Sequence, residues 1–146
     1  MEDFQAAFNE RHRDVIALHE KKRLIASMHM GGIAVECLLK AKLYEELHPN
    51  TKGYKEWYDK EKKIPVGHTI CNPGHSLVSA LRSNNRLYQR VSPNHLYVLL
   101  WLHKIENPEC HFIDMRYIGK EPDESKYTSW YDAYRKLVGW LLTQRF

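Results

Sequence analysis

The sequence predicts an all-α protein, an antiparallel bundle of four or five helices. Apolar residues recur at intervals of three and four positions in several segments, and no convincing segment alternates apolar and polar residues as a strand would. The chain has 146 residues, 43% of them hydrophobic, which suits one domain with a core of normal size. Residues 1–146 are therefore expected to form a single helical domain, with a loop insertion at about residues 48–75.

The first half of the chain predicts two long helices. Apolar residues at helical spacing, with charged residues between them, indicate an amphipathic helix over roughly residues 2–20. A second helix is expected over residues 23–47, where Pro49 follows as a stop signal. Gly31 and Gly32 each weaken that helix by roughly 1 kcal/mol relative to alanine. Two adjacent glycines therefore indicate that another helix or backbone segment approaches closely.

The middle of the second helix, residues 30–43, is apolar on nearly every side, which is typical of a fully packed central helix. Glu36 and Lys40 nevertheless lie four residues apart, on one face and in the favourable order for an ion pair. A charged pair in a buried helix costs free energy unless other groups satisfy it. We therefore expect further polar partners around this pair.

The second half predicts three more helices. A short third helix begins at about residue 75, a fourth begins with Ser92 as N-cap and Pro93 at the first helical position, and a fifth begins near residues 122–125. Residues 114–117 are expected to lie in a loop. The predicted inward faces are Leu96, Leu99, Leu100 and His103 on the fourth helix, and Tyr127, Trp130, Tyr131, Tyr134, Leu137, Val138 and Leu141 on the fifth.

The expected loop interleaves lysines with aromatic residues, a pattern suited to single-stranded nucleic acid because lysine contacts phosphate and rings stack on bases. The alternative is a solvated loop pinned by Trp57 and Tyr58, since three acidic residues dilute its charge. The net charge of +4 and a pI of about 8.9 permit a nucleotide or RNA partner without requiring one.

The sequence also bears on the cellular location of the protein and on whether it contains disulfides or a metal site. No secretory signal and no apolar run of about 18 residues is visible, so we expect a cytoplasmic protein without membrane association. Cysteines 37, 71 and 110 are too few and too scattered for a disulfide framework. His68, Cys71 and His75, with Cys110 and His111 downstream, are zinc-binding residue types, but their spacing fits no standard module. We therefore predict no metal and no cofactor.

Three separated motifs carry a family resemblance. They are Ala34-Val-Glu-Cys-Leu-Leu-Lys-Ala41, Gly74-His-Ser-Leu77 and Asp114-Met-Arg-Tyr117, the last of them before a final amphipathic helix. In this order and spacing they resemble the HEPN family (higher eukaryotes and prokaryotes nucleotide-binding domains). Arg11 and His12 with Asp14 also resemble one bacterial branch of that family. The resemblance covers nearly the whole chain, and residues 50–70 match least.

The resemblance implies a compact helical bundle that is often a homodimer and commonly works with a nucleotidyltransferase partner in prokaryotes. Many members are metal-independent endoribonucleases, and some act as toxins. Others lack the catalytic motif and are thought to bind nucleotides, RNA or a partner protein. We expect this chain to be of the second kind, without efficient catalysis. A purely protein-interaction bundle is a further alternative.

The nuclease motif of the family is an arginine four to six residues before a histidine, usually with a polar residue after the arginine. Such a histidine moves a proton while the arginine stabilises charge on phosphorus. Three pairs have this spacing, close to the roughly two that chance predicts: Arg13 and His19, Arg23 and His29, and Arg90 and His95. The first two lie in the wrong helices for the motif. Arg90 and His95 lie at a helix N-terminus, which favours phosphate, but Val91 follows the arginine. If the protein is a nuclease, this pair is the predicted catalytic one.

The motifs also supply a candidate nucleotide-binding or RNA-binding set: Glu36, Lys40, His75, Arg116 and Tyr117. We predict that Arg116 returns to the central helix and pairs with Glu36, because its fork geometry suits a carboxylate in a low-dielectric site. Lys40, His75 and Arg116 would then line an anion-binding cleft. Alternatively, the pair of Glu36 and Arg116 simply ties the last loop to the core.

Overall fold

The computed structural model describes residues 3–47, 74–91 and 96–146, and over these residues the chain forms helices and no strand. The predicted all-α helical bundle is confirmed. Most of the expected loop, and the predicted start of the fourth helix with Ser92, Pro93 and His95, lie outside the described residues. The elements are α1 (Phe4–Glu20), α2 (Leu24–Leu47), α3 (Leu77–Ser83), α4 (Asn85–Val91), α5 (Leu96–Glu106), a 3₁₀-helix (Phe112–Tyr117) and α6 (Glu124–Thr143).

Helix α2 is the centre of the bundle, as its all-round apolar sequence predicts. It packs against α1, α3, α5, α6 and the 3₁₀-helix. By length and composition alone the stretch Leu24–Glu46 could cross a membrane, with a mean hydropathy of 1.3. However, 61% of it is buried inside the bundle, as in the core helix of a soluble protein. Its apolar surface is therefore used for internal packing.

The two adjacent glycines of α2 mark close approaches, as predicted. A Cβ atom on Gly31 would collide with the indole ring of Trp130 in α6. A Cβ atom on Gly32 would collide with the ring of Phe112 in the 3₁₀-helix. A larger residue at either position would displace the ring that packs on it. The two glycines therefore allow α6 and the 3₁₀-helix to approach α2 closely.

Two short helices, α3 and α4, replace the single short helix that was predicted. Asn84 separates them and is fully buried. Its Oδ1 atom accepts a hydrogen bond of 3.0 Å from the backbone N–H of Leu87, so the asparagine caps the first turn of α4. The segment 112–117 is likewise a 3₁₀-helix and not a loop. It is anchored by its two buried side chains, Phe112 and Met115.

The prediction for the inward face of α5 is wrong for Leu96, Leu100 and His103, which are exposed, whereas Leu99 is half-buried and packs against the core. The buried residues are Val98, Leu102 and Ile105, whereas Leu96 is 56% and Leu100 66% exposed. This helix carries apolar side chains on all sides, so periodicity could not select the face that meets the core. In α6 the prediction is confirmed: six of its seven predicted stripe residues are buried, and the other, Tyr131, is half-buried.

Candidate functional site

The carboxylate of Glu36 has two partners. Its Oε2 atom accepts from Lys40 Nζ at 3.2 Å, and its Oε1 atom lies 2.7 Å from Nδ1 of His75. The side chains of Glu36 and Lys40 are only 12% and 8% exposed, while that of His75 is 61% exposed. The predicted ion pair within α2 is therefore present, and the expected further polar partner is the histidine of the Gly-His-Ser-Leu motif.

The predicted pairing of Arg116 with Glu36 is wrong. Both oxygens of Glu36 are engaged by Lys40 and His75, and Arg116 is exposed. The 3₁₀-helix turns Phe112 and Met115 into the core, which leaves its last residues at the surface. The guanidinium of Arg116 instead lies over the ring of Tyr117, 4.8 Å from the ring centroid. The five predicted binding residues are thus divided between two places.

Arg116 lines a cleft of about 500 Å³ between the start of α2 and the 3₁₀-helix. Arg23 and His29, both from α2 or the turn before it, line the same cleft. Among the described residues, no carboxylate forms an ion pair with Arg23 or Arg116. We refer to this feature as the arginine cleft. It combines two guanidinium groups with an imidazole, which is a set suited to binding phosphate.

His29 is oriented by the backbone of the 3₁₀-helix. Its Nδ1 atom lies 2.8 Å from the carbonyl oxygen of Phe112 and donates to it. The tautomer with hydrogen on Nδ1 leaves Nε2 as the nitrogen that can accept a proton or a hydrogen bond. The sequence showed the spacing of Arg23 and His29 but not their meeting with Arg116, because that meeting depends on how the 3₁₀-helix docks on α2.

Glu121 supplies the negative charge of the arginine cleft. Its carboxylate accepts from the backbone N–H of Leu24 at 2.7 Å and from that of Ile25 at 3.4 Å. These amides belong to the first turn of α2, where the helix dipole favours an anion. The protein's own carboxylate therefore occupies the helix N-terminus. A phosphate in this cleft would be held by the arginines and not by helix amides.

Arg90, the first member of the predicted nuclease pair, binds the C-terminal segment. Its guanidinium donates to Gln144 Oε1 at 2.9 Å and to the carbonyl oxygen of Arg145 at 3.0 Å, and it lies over the ring of Phe146. Arg90 lies in the last turn of α4 and not at a helix N-terminus, so that prediction is wrong for the arginine, and its contacts join α4 to residues 144–146. His95 lies outside the described residues, so the pair as such stays a prediction.

The histidines of α1 face the tyrosines of α6. Nδ1 of His12 lies 2.7 Å from the hydroxyl of Tyr134, and Nδ1 of His19 lies 2.8 Å from that of Tyr127. Burial lowers the pKa of His12, and burial raises the pKa of both phenols above their usual range. The residues of the α1 resemblance thus contact other residues of the fold: His12 contacts Tyr134, and Arg11 donates to Asp14 at 2.8 Å.

The histidine and cysteine residues singled out for zinc are placed as follows. His111 uses both ring nitrogens within the fold: Nε2 donates to the carbonyl oxygen of His75 at 3.1 Å, and Nδ1 accepts from the N–H of Ile113. His68 and Cys71 lie outside the described residues. Within the part of the chain that the structure describes, no three histidine, cysteine or acidic side chains come together as metal ligands would.

Comparison with known proteins gives no neighbour: no protein-family model, no curated protein and no solved structure matches the chain. What the protein binds has therefore to be argued from its own residues.

Proposed function

We propose that this chain is a HEPN-like helical protein that binds the phosphate of a nucleotide or of RNA in the arginine cleft, without efficient catalysis. The observation that carries the proposal is the meeting of Arg23 and Arg116 beside His29, with no carboxylate paired to either guanidinium in the described residues. Arg23 and Arg116 line the cleft together with the carboxylate of Glu121, and two positive charges against one negative charge favour a bound anion. A phosphate group supplies that compensation and accepts bidentate hydrogen bonds from each guanidinium.

The neighbouring Tyr117 extends the proposal from phosphate to nucleotide. Its ring is 74% exposed, and Arg116 lies over the ring at 4.8 Å. An exposed aromatic ring beside a phosphate-binding arginine is the arrangement by which proteins hold single-stranded nucleic acid, because the ring stacks on a base while the cation meets the backbone. The net charge of +4 also favours association with a polyanion.

The other predicted binding residues form a separate cluster. Glu36, Lys40 and His75 bind one another, and their contacts join the segment beginning at Gly74 to the middle of α2. These contacts favour a structural role for the three residues. A part for them in nucleotide binding stays a prediction, with the exposed ring of His75 as the group available to a ligand.

The resemblance supports further proposals on partners and location. We expect a cytoplasmic homodimer that acts with a nucleotidyltransferase partner, as in toxin–antitoxin pairs. Three large apolar side chains exposed on α5, those of Leu96, Tyr97 and Leu100, are consistent with a protein-binding surface there. The alternative function, a metal-independent endoribonuclease that uses Arg90 and His95, is tested by the same experiment as the main proposal.

The experiment measures binding of labelled single-stranded RNA by fluorescence anisotropy in EDTA, over a range of salt concentrations. We expect the variant Arg23→Ala/Arg116→Ala to bind at least about tenfold more weakly, because it loses two charge-assisted contacts. The slope of log affinity against log salt should fall by about 1.4, since each phosphate contact to a single strand contributes roughly 0.7.

The matched control is Arg13→Ala/Arg135→Ala, which removes the same charge from exposed positions on α1 and α6. If this control and the cleft variant lose the same affinity, only net charge matters and the cleft is not the site. Gel analysis of the same samples tests the alternative. RNA cleavage that is abolished in a folded Arg90→Ala/His95→Ala variant would establish the endoribonuclease instead.

A further inference from the structure

A second cleft, of about 320 Å³, lies where the end of α5 meets the start of α6. It shares no lining residue with the arginine cleft. Its volume is at the lower end of the range of about 300–1,000 Å³ that is usual for small-molecule sites. A cleft of this size admits a small molecule but no folded partner.

The floor of this cleft is apolar and rigid. Met28 from α2 and Trp130 from α6 line it, with 1% and 2% of their surfaces exposed. The indole ring is held in place because it packs directly on Gly31. The indole nitrogen of Trp130 is buried and has no hydrogen-bond acceptor among the described residues. Because this nitrogen has almost no exposed surface, the part of Trp130 that lines the cleft is its apolar ring.

The rim of the cleft is basic. The ammonium group of Lys104 donates to Ser129 Oγ at 2.6 Å, and that of Lys126 lies 3.8 Å from the carboxylate of Glu109. Ser125 and Asn107 complete the polar part of the lining. Two lysines therefore line the cleft, one of them in an ion pair with Glu109, and the hydroxyl and amide groups beside them can donate to a negatively charged ligand.

We propose that this cleft binds a small planar anion, a molecule with one negatively charged group and one flat apolar body. The charged group would lie between Lys104 and Lys126 at the rim, where hydroxyl groups assist the ammonium groups. The flat body would lie over Met28 and against the indole of Trp130, where it is removed from water. The site shares no lining residue with the arginine cleft, so its occupation can be measured separately from RNA binding.

The test uses anilinonaphthalene sulfonate, which carries one sulfonate group on a flat naphthalene ring and becomes fluorescent in an apolar site. The charge-reversal variant Lys104→Glu/Lys126→Glu should bind the dye at least about tenfold more weakly than the unmodified protein. The control Lys120→Glu/Lys136→Glu makes the same change in net charge at exposed positions outside the cleft and should bind normally. Equal binding by both double variants would overturn the proposal.

A second readout locates the dye directly. The indole N–H resonance of Trp130, assigned by comparison with Trp130→Phe, should shift on addition of the dye and should stay unchanged in the Lys104→Glu/Lys126→Glu variant. A resonance that does not move in the unmodified protein would place the dye elsewhere and refute the site. The variant Arg23→Ala/Arg116→Ala should retain dye binding. Loss of binding there would instead assign the dye to the arginine cleft, which keeps this result separate from the RNA experiment.

Discussion

Nδ1 of His75 lies 2.7 Å from Oε1 of Glu36, so a surface histidine is held by a carboxylate that is almost entirely inside the protein. The other oxygen of the same carboxylate binds Lys40, whose side chain is 8% exposed. The buried carboxylate of Glu36 thus binds one exposed basic residue, His75, and one buried basic residue, Lys40. Removing Glu36 therefore leaves the buried Lys40 without a counter-charge, whereas removing His75 leaves the ion pair of Glu36 and Lys40 in place.

We expect Glu36→Ala to lower the free energy of unfolding by about 3–5 kcal/mol, because it leaves the buried ammonium of Lys40 without a counter-charge. His75→Ala should cost less than about 1 kcal/mol, since that side chain is largely in water. Urea denaturation of both variants measures the difference. The exposed pair of Glu10 and Arg13 gives the control, and Glu10→Ala should change stability by less than about 0.5 kcal/mol. Equal losses for Glu36→Ala and Glu10→Ala would contradict the burial argument.

Gly32→Ala should destabilise the protein. The added methyl group collides with the ring of Phe112, and overpacking of this kind costs about 1–3 kcal/mol, more than the gain of roughly 1 kcal/mol in helix propensity. Gly139→Ala is the matched control in α6, where a Cβ atom meets nothing within 4 Å. It should stabilise the protein by about 0.5–1 kcal/mol. If thermal denaturation shows that both variants are more stable than the unmodified protein, the structure around Gly32 accommodates the methyl group without cost.

The stability of the protein should fall in mild acid because of His12. Burial holds its pKa below the ordinary value of 6.5, so the unfolded chain takes up a proton before the folded protein does. The stability that the neutral form of His12 contributes is fully present above the pKa of this histidine in the unfolded chain. It is lost as the pH falls from about 6.5 toward the lowered pKa of the folded state. Urea denaturation across this range should show a weaker pH dependence for His12→Gln, which still accepts from Tyr134. An unaltered profile for His12→Gln would refute the assignment.

Glu121→Gln should strengthen RNA binding while weakening the fold. The substitution removes the negative charge that faces Arg23 and Arg116, and we expect an affinity gain of about fivefold at low salt. It also weakens the charged cap of α2, which should cost about 0.3–1 kcal/mol. Anisotropy and urea denaturation measure the two effects. Glu124→Gln, at the exposed first turn of α6, is the control and should leave the affinity as it is. Weaker RNA binding by Glu121→Gln would mean that the carboxylate itself contacts the ligand.

Much of the fold could be predicted because local patterns decide it. The bounds of α1 and α2 and the start of α6 follow from periodicity and from start and stop signals, and the two adjacent glycines correctly indicated a close approach to α2. The face of α5 could not be predicted, because apolar residues surround that helix and only the packing of its neighbours selects one side. The division of one expected helix into α3 and α4 depends on a single buried cap at Asn84.

Less of the candidate site than of the fold could be predicted from the sequence. The pairing of Glu36 with Lys40 is a matter of helical spacing and was predicted correctly. The position of Arg116 depends on a 3₁₀-helix that turns Phe112 and Met115 inward, and such short elements leave weak traces in a sequence. Arg23, His29 and Arg116 line one cleft only because the 3₁₀-helix packs on α2. Their separation along the sequence therefore could not predict the arginine cleft.

Helix α2 packs against α1, α3, α5, α6 and the 3₁₀-helix. Detaching any one of these elements therefore removes part of the packing of α2. Local opening is then confined to the ends of the bundle, and the middle of α2 is released only when the whole molecule unfolds. Its backbone amides should therefore be the slowest in the protein to exchange hydrogen for deuterium. The same connectivity is expected to make the domain a single cooperative folding unit, in which the close approaches at Gly31 and Gly32 are lost together.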